Sequence, residues 1–144
     1  MTPTLTFDTV VSAAAAKAGL TGAQAGAALT GALGLLDRHA GREPLAALYA
    51  GVDGAEAAAR SKAAARPKRG LFGGLMASAG GVSGAAVAEA MGLLERLKAE
   101  GVDKAALKRL LPAARERVRA ATGRDLLGEA VRSVPGVGPL LGDG

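Results

Sequence analysis

Apolar residues recur three and four positions apart along most of the chain. Phe7, Val10, Val11, Ala14 and Ala18 form one stripe, and Ala25, Ala28, Leu29, Ala32, Leu36 and Ala40 form a second. Leu107, Leu110, Leu111, Ala114, Val118 and Ala121 repeat the second stripe further on. Val87, Met91, Leu94 and Leu97 supply another. This spacing places each set on one face of an α-helix. Short helices are also predicted at about 43–50, with Pro44 near the start, and at about 125–132, stopped by Pro135-Gly136. Pro112 interrupts the Leu107 stripe. It has no N–H to donate, so it predicts either a kink or the start of a new segment.

The joints between stripes carry capping chemistry. Gly19-Leu20-Thr21 and Gly101-Val102-Asp103 share one logic. The glycine ends a helix in the left-handed conformation, and the apolar residue packs back on the finished helix, Val102 onto Leu97. Thr21 or Asp103 then caps the next helix. Gln24, three after Thr21, completes a capping box, and Val102 with Leu107 fits a hydrophobic staple. Gly51-Val52-Asp53, with Glu56 three after Asp53, predicts a third joint of the same kind.

A displacement of 82 positions superimposes two parts of the sequence without a gap. Gly19 falls on Gly101, Leu29 on Leu111, Ala32 on Ala114 and Gly41-Arg42 on Gly123-Arg124. Leu45 falls on Leu127, Val52 on Val134 and Gly54 on Gly136. The matches include the punctuation, not only common alanines, so the sequence reads as an internal repeat. The first helices align less well, because the Val87 stripe is out of register with the Phe7 stripe.

The succession of apolar helix, Gly-apolar-Thr/Asp joint, second helix, glycine break, short Leu-rich helix and Val-Pro-Gly end resembles bacterial families of small two-repeat α-helical domains of unknown function. The resemblance spans residues 7–58 and 90–141. It implies a helical fold and brings no activity or catalytic residues.

Composition narrows the picture. Hydrophobic residues make up 49% of the 144, but aromatics only 2%: Phe7, Tyr49 and Phe72. A core of Ala, Leu and Val needs closely approaching helices, and a β-sandwich would want more β-branched and aromatic side chains. With no cysteine, disulfides, thiolate metal sites and thiol nucleophiles are excluded. The start of the chain lacks the basic and apolar regions of a secretory signal, which suggests a cytoplasmic protein.

The net charge of +5 is local. Residues 1–59 carry three basic and five acidic side chains, and residues 71–144 carry ten and eight. Residues 60–70 carry Arg60, Lys62, Arg66, Lys68 and Arg69 with no acid. An apolar, Gly-rich stretch follows, and glycine at this density disfavours helix by about 1 kcal/mol per residue. Residues 60–85 are therefore expected to be a flexible or irregular linker between repeat 1 (1–59) and repeat 2 (86–144).

Candidate chemistry is sparse. His39 is the sole histidine, with no carboxylate cluster at ligand spacing, and it reads as a residue at the edge of a core. The Gly-rich stretches lack the preceding strand and following Gly-Lys-Ser/Thr of a phosphate loop. Glu95 with Glu100, and Glu116 with Asp125, sit among Arg and Lys as on a solvated helix face. No catalytic, cofactor or metal residue is expected.

Two basic features remain: the cluster Arg60, Lys62, Arg66, Lys68 and Arg69, and a helical stripe of Lys104, Lys108, Arg115 and Arg119. The stripe could track the phosphates of nucleic acid, and the basic run beside the apolar stretch suits anionic membrane or nucleic acid. Nearby acids and the lack of stacking aromatics weigh against nucleic acid. Residues 71–88 approach the length of a membrane span, but their apolarity rests mostly on Ala and Gly.

The expectation is an all-α bundle of about six short helices in two pseudo-repeated halves joined by a Gly-rich linker. The function it favours is a non-catalytic helical interaction or scaffold protein, self-associating or bound to a protein partner. The alternative is a basic module that binds anionic membrane or nucleic acid through residues 60–70.

Overall fold

The computed structural model describes residues 5–61, 86–134 and 137. These are mostly helical and form a helical bundle with no strand among them. The helices are α1 (Phe7–Ala18), α2 (Gly22–His39), α3 (Arg42–Gly51), α4 (Ala55–Ala59), α5 (86–99), α6 (Lys104–Thr122) and α7 (Leu126–Arg132). The expected linker, apart from Arg60 and Ser61, and the Pro135-Gly136 stop lie outside the described residues. So do Lys62, Arg66, Lys68 and Arg69.

Two predicted joints are built as expected. Gly19 and Gly101 are left-handed, with φ of 72° and 90°. The Leu20 N–H donates to Ala15 O at 3.0 Å, and the Val102 N–H donates to Leu97 O at 2.8 Å. Each bond spans five residues and closes a Schellman ending. The Gln24 N–H donates to Thr21 Oγ1, the Thr21 N–H donates back to Gln24 Oε1, and the Ala106 N–H donates to Asp103 Oδ1. The α2 and α6 starts are thus capped by the residues expected to cap them.

The third joint differs. Gly51 stays in α3, Gly54 takes the left-handed turn, and Asp53 caps nothing. The backbone of Asp53 is engaged elsewhere: its N–H donates to Leu5 O, and its carbonyl accepts from the Phe7 N–H, both at 2.8 Å. This isolated parallel bridge ties the start of α1 to the end of α3. Pro112 neither starts a segment nor ends one; α6 continues through it. Pro112 and Lys108 both lie on the exposed face, where the carbonyl left without a proline N–H can meet water.

Helix α2 packs on α1 and α4, and three antiparallel pairings join residues 5–61 to residues 86–134. Along α1 and α6, Lys17 meets Glu116 and Ala18 meets Arg109. Along α2 and α5, Gln24 reaches Glu100, Gly31 faces Leu93 and Arg38 meets Glu89. Along α3 and α7, Gly41 meets Ser133, and Gly51 lies against Leu126 and Thr122. Helix α2 is the centre: every residue from Gly31 to Leu36 is buried. Gly31 supplies a thin place of the kind that an aromatic-poor core requires, with Leu93 of α5 lying against it.

The α5 stripe is corrected. Ala86, Ala90, Leu93 and Leu97 are buried, whereas Met91 is 57% exposed. The face with the larger apolar side chains gives way to the one that fits against Gly31. Ala121, assigned to the core face of α6, is exposed, because α6 ends there at a left-handed Gly123.

Candidate functional site

The polar groups that converge do so between helices. In the last turn of α2, Arg38 Nε donates to both carboxylate oxygens of Glu89 on α5, at 2.9 and 3.0 Å. His39 Nε2 lies 3.4 Å from Glu89 Oε2, without hydrogen-bond geometry. Here the carboxylate is 9% exposed and the imidazole 12%. His39 therefore does sit at a core edge, but beside an acid fifty positions away. No spacing rule links the two, so sequence reasoning missed Glu89.

A second cluster surrounds Asp125. Its carboxylate caps α7 by accepting from the Gly128 N–H, and it accepts from Arg115 at 2.6 and 3.2 Å and from Arg132 at 3.4 Å. The Arg115 hydrogen bond holds the carboxyl below the usual carboxylate range. Partial burial opposes this, while the Arg115 charge, Gly128 and Arg132 reinforce it. A Cβ at Gly128 would overlap the carboxylate, so the glycine permits the cap.

The third cluster joins α2 to α3. The Tyr49 hydroxyl donates to Asp37 at 2.8 Å, and Arg60 reaches Asp37 at 3.5 Å and Glu56 at 3.2 Å. Burial pushes the Tyr49 phenol up from its ordinary value, and the hydrogen bond to Asp37 pushes the same way.

These clusters change the standing of the predicted basic residues. Arg60 is bracketed by two acids, and Arg115 is spent on Asp125. Lys104, Lys108 and Arg119 are exposed along α6. The continuous helix thus presents three of the four residues of the predicted stripe and withdraws the fourth. Glu116, on the same helix, pairs with Lys17 of α1 at 3.3 Å.

An apolar cavity of about 20 Å³ lies among Phe7, Val10, Leu29, Leu48 and Val118. That is room for about one water, with no polar lining to hold it. An open groove between α3 and α7 mixes Glu43, Arg124, Glu129 and Arg132. Among the described residues, no group of three or more His, Asp or Glu side chains is placed to hold a metal ion. No helix among them is long and apolar enough to cross a membrane.

No protein-family model, curated protein or solved structure matches the chain.

Proposed function

We propose that the protein is a non-catalytic helical scaffold of the cytoplasm. It is built from two copies of one helical unit, residues 1–59 and 86–144 about the linker 60–85, and it acts by associating with itself or with a protein partner. The observation that carries this reading is the reciprocity of the helix contacts. Under the displacement of 82, α1, α2 and α3 correspond to α5, α6 and α7. The pairings α1 with α6 and α2 with α5 are then the same contact made twice, and α3 with α7 is that contact's own mirror.

Details support the correspondence. Ala18 and Glu100 are equivalent positions at the ends of α1 and α5. The carbonyl of each accepts a hydrogen bond from the second helix of the opposite half, Arg109 at 3.2 Å and Gln24 at 3.1 Å. Gly41 meets Ser133, and the equivalent of position 133, Gly51, meets Thr122 beside the equivalent of Gly41. Val11 and Leu93, Leu36 and Val118, and Leu48 and Ala130 are equivalent pairs, buried on both sides.

The scaffold reading also draws on how the charges are used. Arg38 with Glu89, Arg115 with Asp125 and Tyr49 with Asp37 all fasten one helix to another. The kinship with small two-repeat helical families of bacteria belongs to the same proposal. Static light scattering across a concentration series tests the association. A mass above that of one chain is expected, and a monomer at the highest concentration, with no partner captured, would overturn the reading.

Lys104, Lys108 and Arg119, exposed along α6, favour a second reading as a basic module for anionic membrane or nucleic acid. Co-sedimentation with anionic liposomes, beside DNA gel shifts at two salt concentrations, separates the two. Salt-sensitive binding that disappears when Lys104, Lys108 and Arg119 are neutralised would move the function to α6, and binding that disappears when Arg60, Lys62, Arg66, Lys68 and Arg69 are neutralised would move it to the basic segment.

A further inference from the structure

We infer that the contact between the two halves is also the surface by which this chain binds a second copy of itself, by exchange of halves. The inference rests on the reading of the protein as self-associating, and it names the surface and the partner. Three helix pairings join residues 5–61 to residues 86–134, and each is fitted in detail. Leu93 fills the space left by the missing side chain of Gly31. Leu126 does the same at Gly51. Arg38 with Glu89, Arg109 with the Ala18 carbonyl, Gln24 with the Glu100 carbonyl, and Ser133 with the Gly41 N–H all cross the same boundary.

None of these contacts requires both halves to belong to one chain. The second half of another copy offers the same groups in the same positions. A half of this size is marginal by itself, because a single small core supplies little stabilisation. Whenever the halves of one copy part, the surface exposed is therefore complementary to a second copy.

Only residues 62–85 join the halves. Fully extended, a segment of that length reaches ~80 Å, at about 3.3–3.6 Å per residue. A chain of this size has a radius of gyration near ~15 Å. The segment is thus long enough to connect halves packed together within one copy or on two different copies. Pairing within a chain proceeds at an effective concentration in the ~mM range, so exchange grows with protein concentration and is captured when chains refold together.

The absence of cysteine makes the test clean. A Cβ built at Gly41 lies 3.7 Å from Ser133 Cβ, within the range of a disulfide. Chains carrying Gly41→Cys and chains carrying Ser133→Cys are unfolded together, refolded at high concentration, oxidised and run without reductant. Exchange gives a covalent dimer of one chain of each kind, absent when the chains are mixed without unfolding. The double variant Gly41→Cys/Ser133→Cys in dilute solution closes within one chain and verifies the α3–α7 geometry.

A second pair of variants guards against a misfolded cysteine variant. Arg38→Glu alone and Glu89→Arg alone each place like charges across the boundary within one chain. Refolded together, they restore opposite charges at both boundaries of an exchanged dimer, so the mixture forms dimers that neither variant forms by itself. A wild-type chain that dimerises, while the Gly41→Cys and Ser133→Cys chains refolded together never cross-link and the charge-exchanged mixture gives no dimer, would overturn exchange and leave self-association through another surface. A chain that stays monomeric and never cross-links overturns both.

Discussion

Gly31 of α2 lies so close to Leu93 of α5 that a Cβ at position 31 would overlap the Leu93 side chain. Both residues are buried. Gly31→Ala therefore brings two opposed effects. Helix propensity favours alanine by about 1 kcal/mol, and overpacking costs about 1–3 kcal/mol. We expect a net loss of stability in the wild-type background. In a Leu93→Ala background the overlap is gone, so the same change should stabilise. Chemical denaturation of the four proteins of the cycle measures this, and a Gly31→Ala effect of the same sign in both backgrounds would refute the packing account.

Gly19 and Gly101 both occupy left-handed joints but differ in their surroundings. A Cβ at Gly19 meets nothing within 4 Å, whereas one at Gly101 would lie 2.8 Å from Gln24 Nε2. Alanine at either site carries the left-handed strain of about 1–2 kcal/mol. Gly101→Ala should cost about 1 kcal/mol more, the worth of the hydrogen bond from Gln24 to the Glu100 carbonyl. In a Gln24→Ala background the two substitutions should become equal in denaturation midpoint.

Asp125 predicts a pH dependence. Its carboxyl titrates below the ordinary range in the folded protein, chiefly through the Arg115 hydrogen bond. Such a group adds stability above its unfolded value, about 3.9, and that stability is lost as the pH falls through the folded value. Asp125→Asn keeps a capping side chain and removes the charge. It should be less stable than the wild type by on the order of 1 kcal/mol near neutral pH, and the gap should close in acid. Urea denaturation of both proteins at pH 7 and pH 3 follows it; a constant gap would contradict the assignment.

Tyr49 is the sole tyrosine in a chain without tryptophan, so phenolate absorbance reports on it alone. In the folded protein the absorbance should rise at a pH above the ordinary value of about 10, and in denaturant at that ordinary value. Asp37→Asn should lower the folded midpoint only in part, because burial is the larger cause. A raised folded value means stability that is complete below the unfolded value and lost as the pH rises through the folded one. Tyr49→Phe should therefore flatten the alkaline limb of the stability curve.

Much of the local architecture was legible beforehand. Thr21 with Gln24, Asp103 with Ala106, and the left-handed Gly19 and Gly101 are decided by groups no more than a few residues apart. Where a neighbour distant in sequence competes for the same backbone, the local signal misleads. Asp53 has the setting of a cap, yet its N–H and carbonyl pair with Leu5 and Phe7. Pro112 carries the mark of a break, yet its missing hydrogen bond falls on the water-facing side of α6. Of the expected α5 stripe, Leu97 is buried and Leu94 partly so, yet Met91 is exposed and Leu93, outside that stripe, is buried against Gly31.

The sequence by itself determined the helical class, most helix boundaries and the caps, since these follow from periodicity and from hydrogen bonds closed within a turn. The tertiary structure alone decided which helices pair, that His39 and Arg38 meet Glu89, and that Asp125 draws in Arg115 and Arg132. The reason is physical. Stripes of Ala, Leu and Val are interchangeable as hydrophobic surface, and the choice among them rests on close fit between residues far apart in the chain. That fit has no local signature.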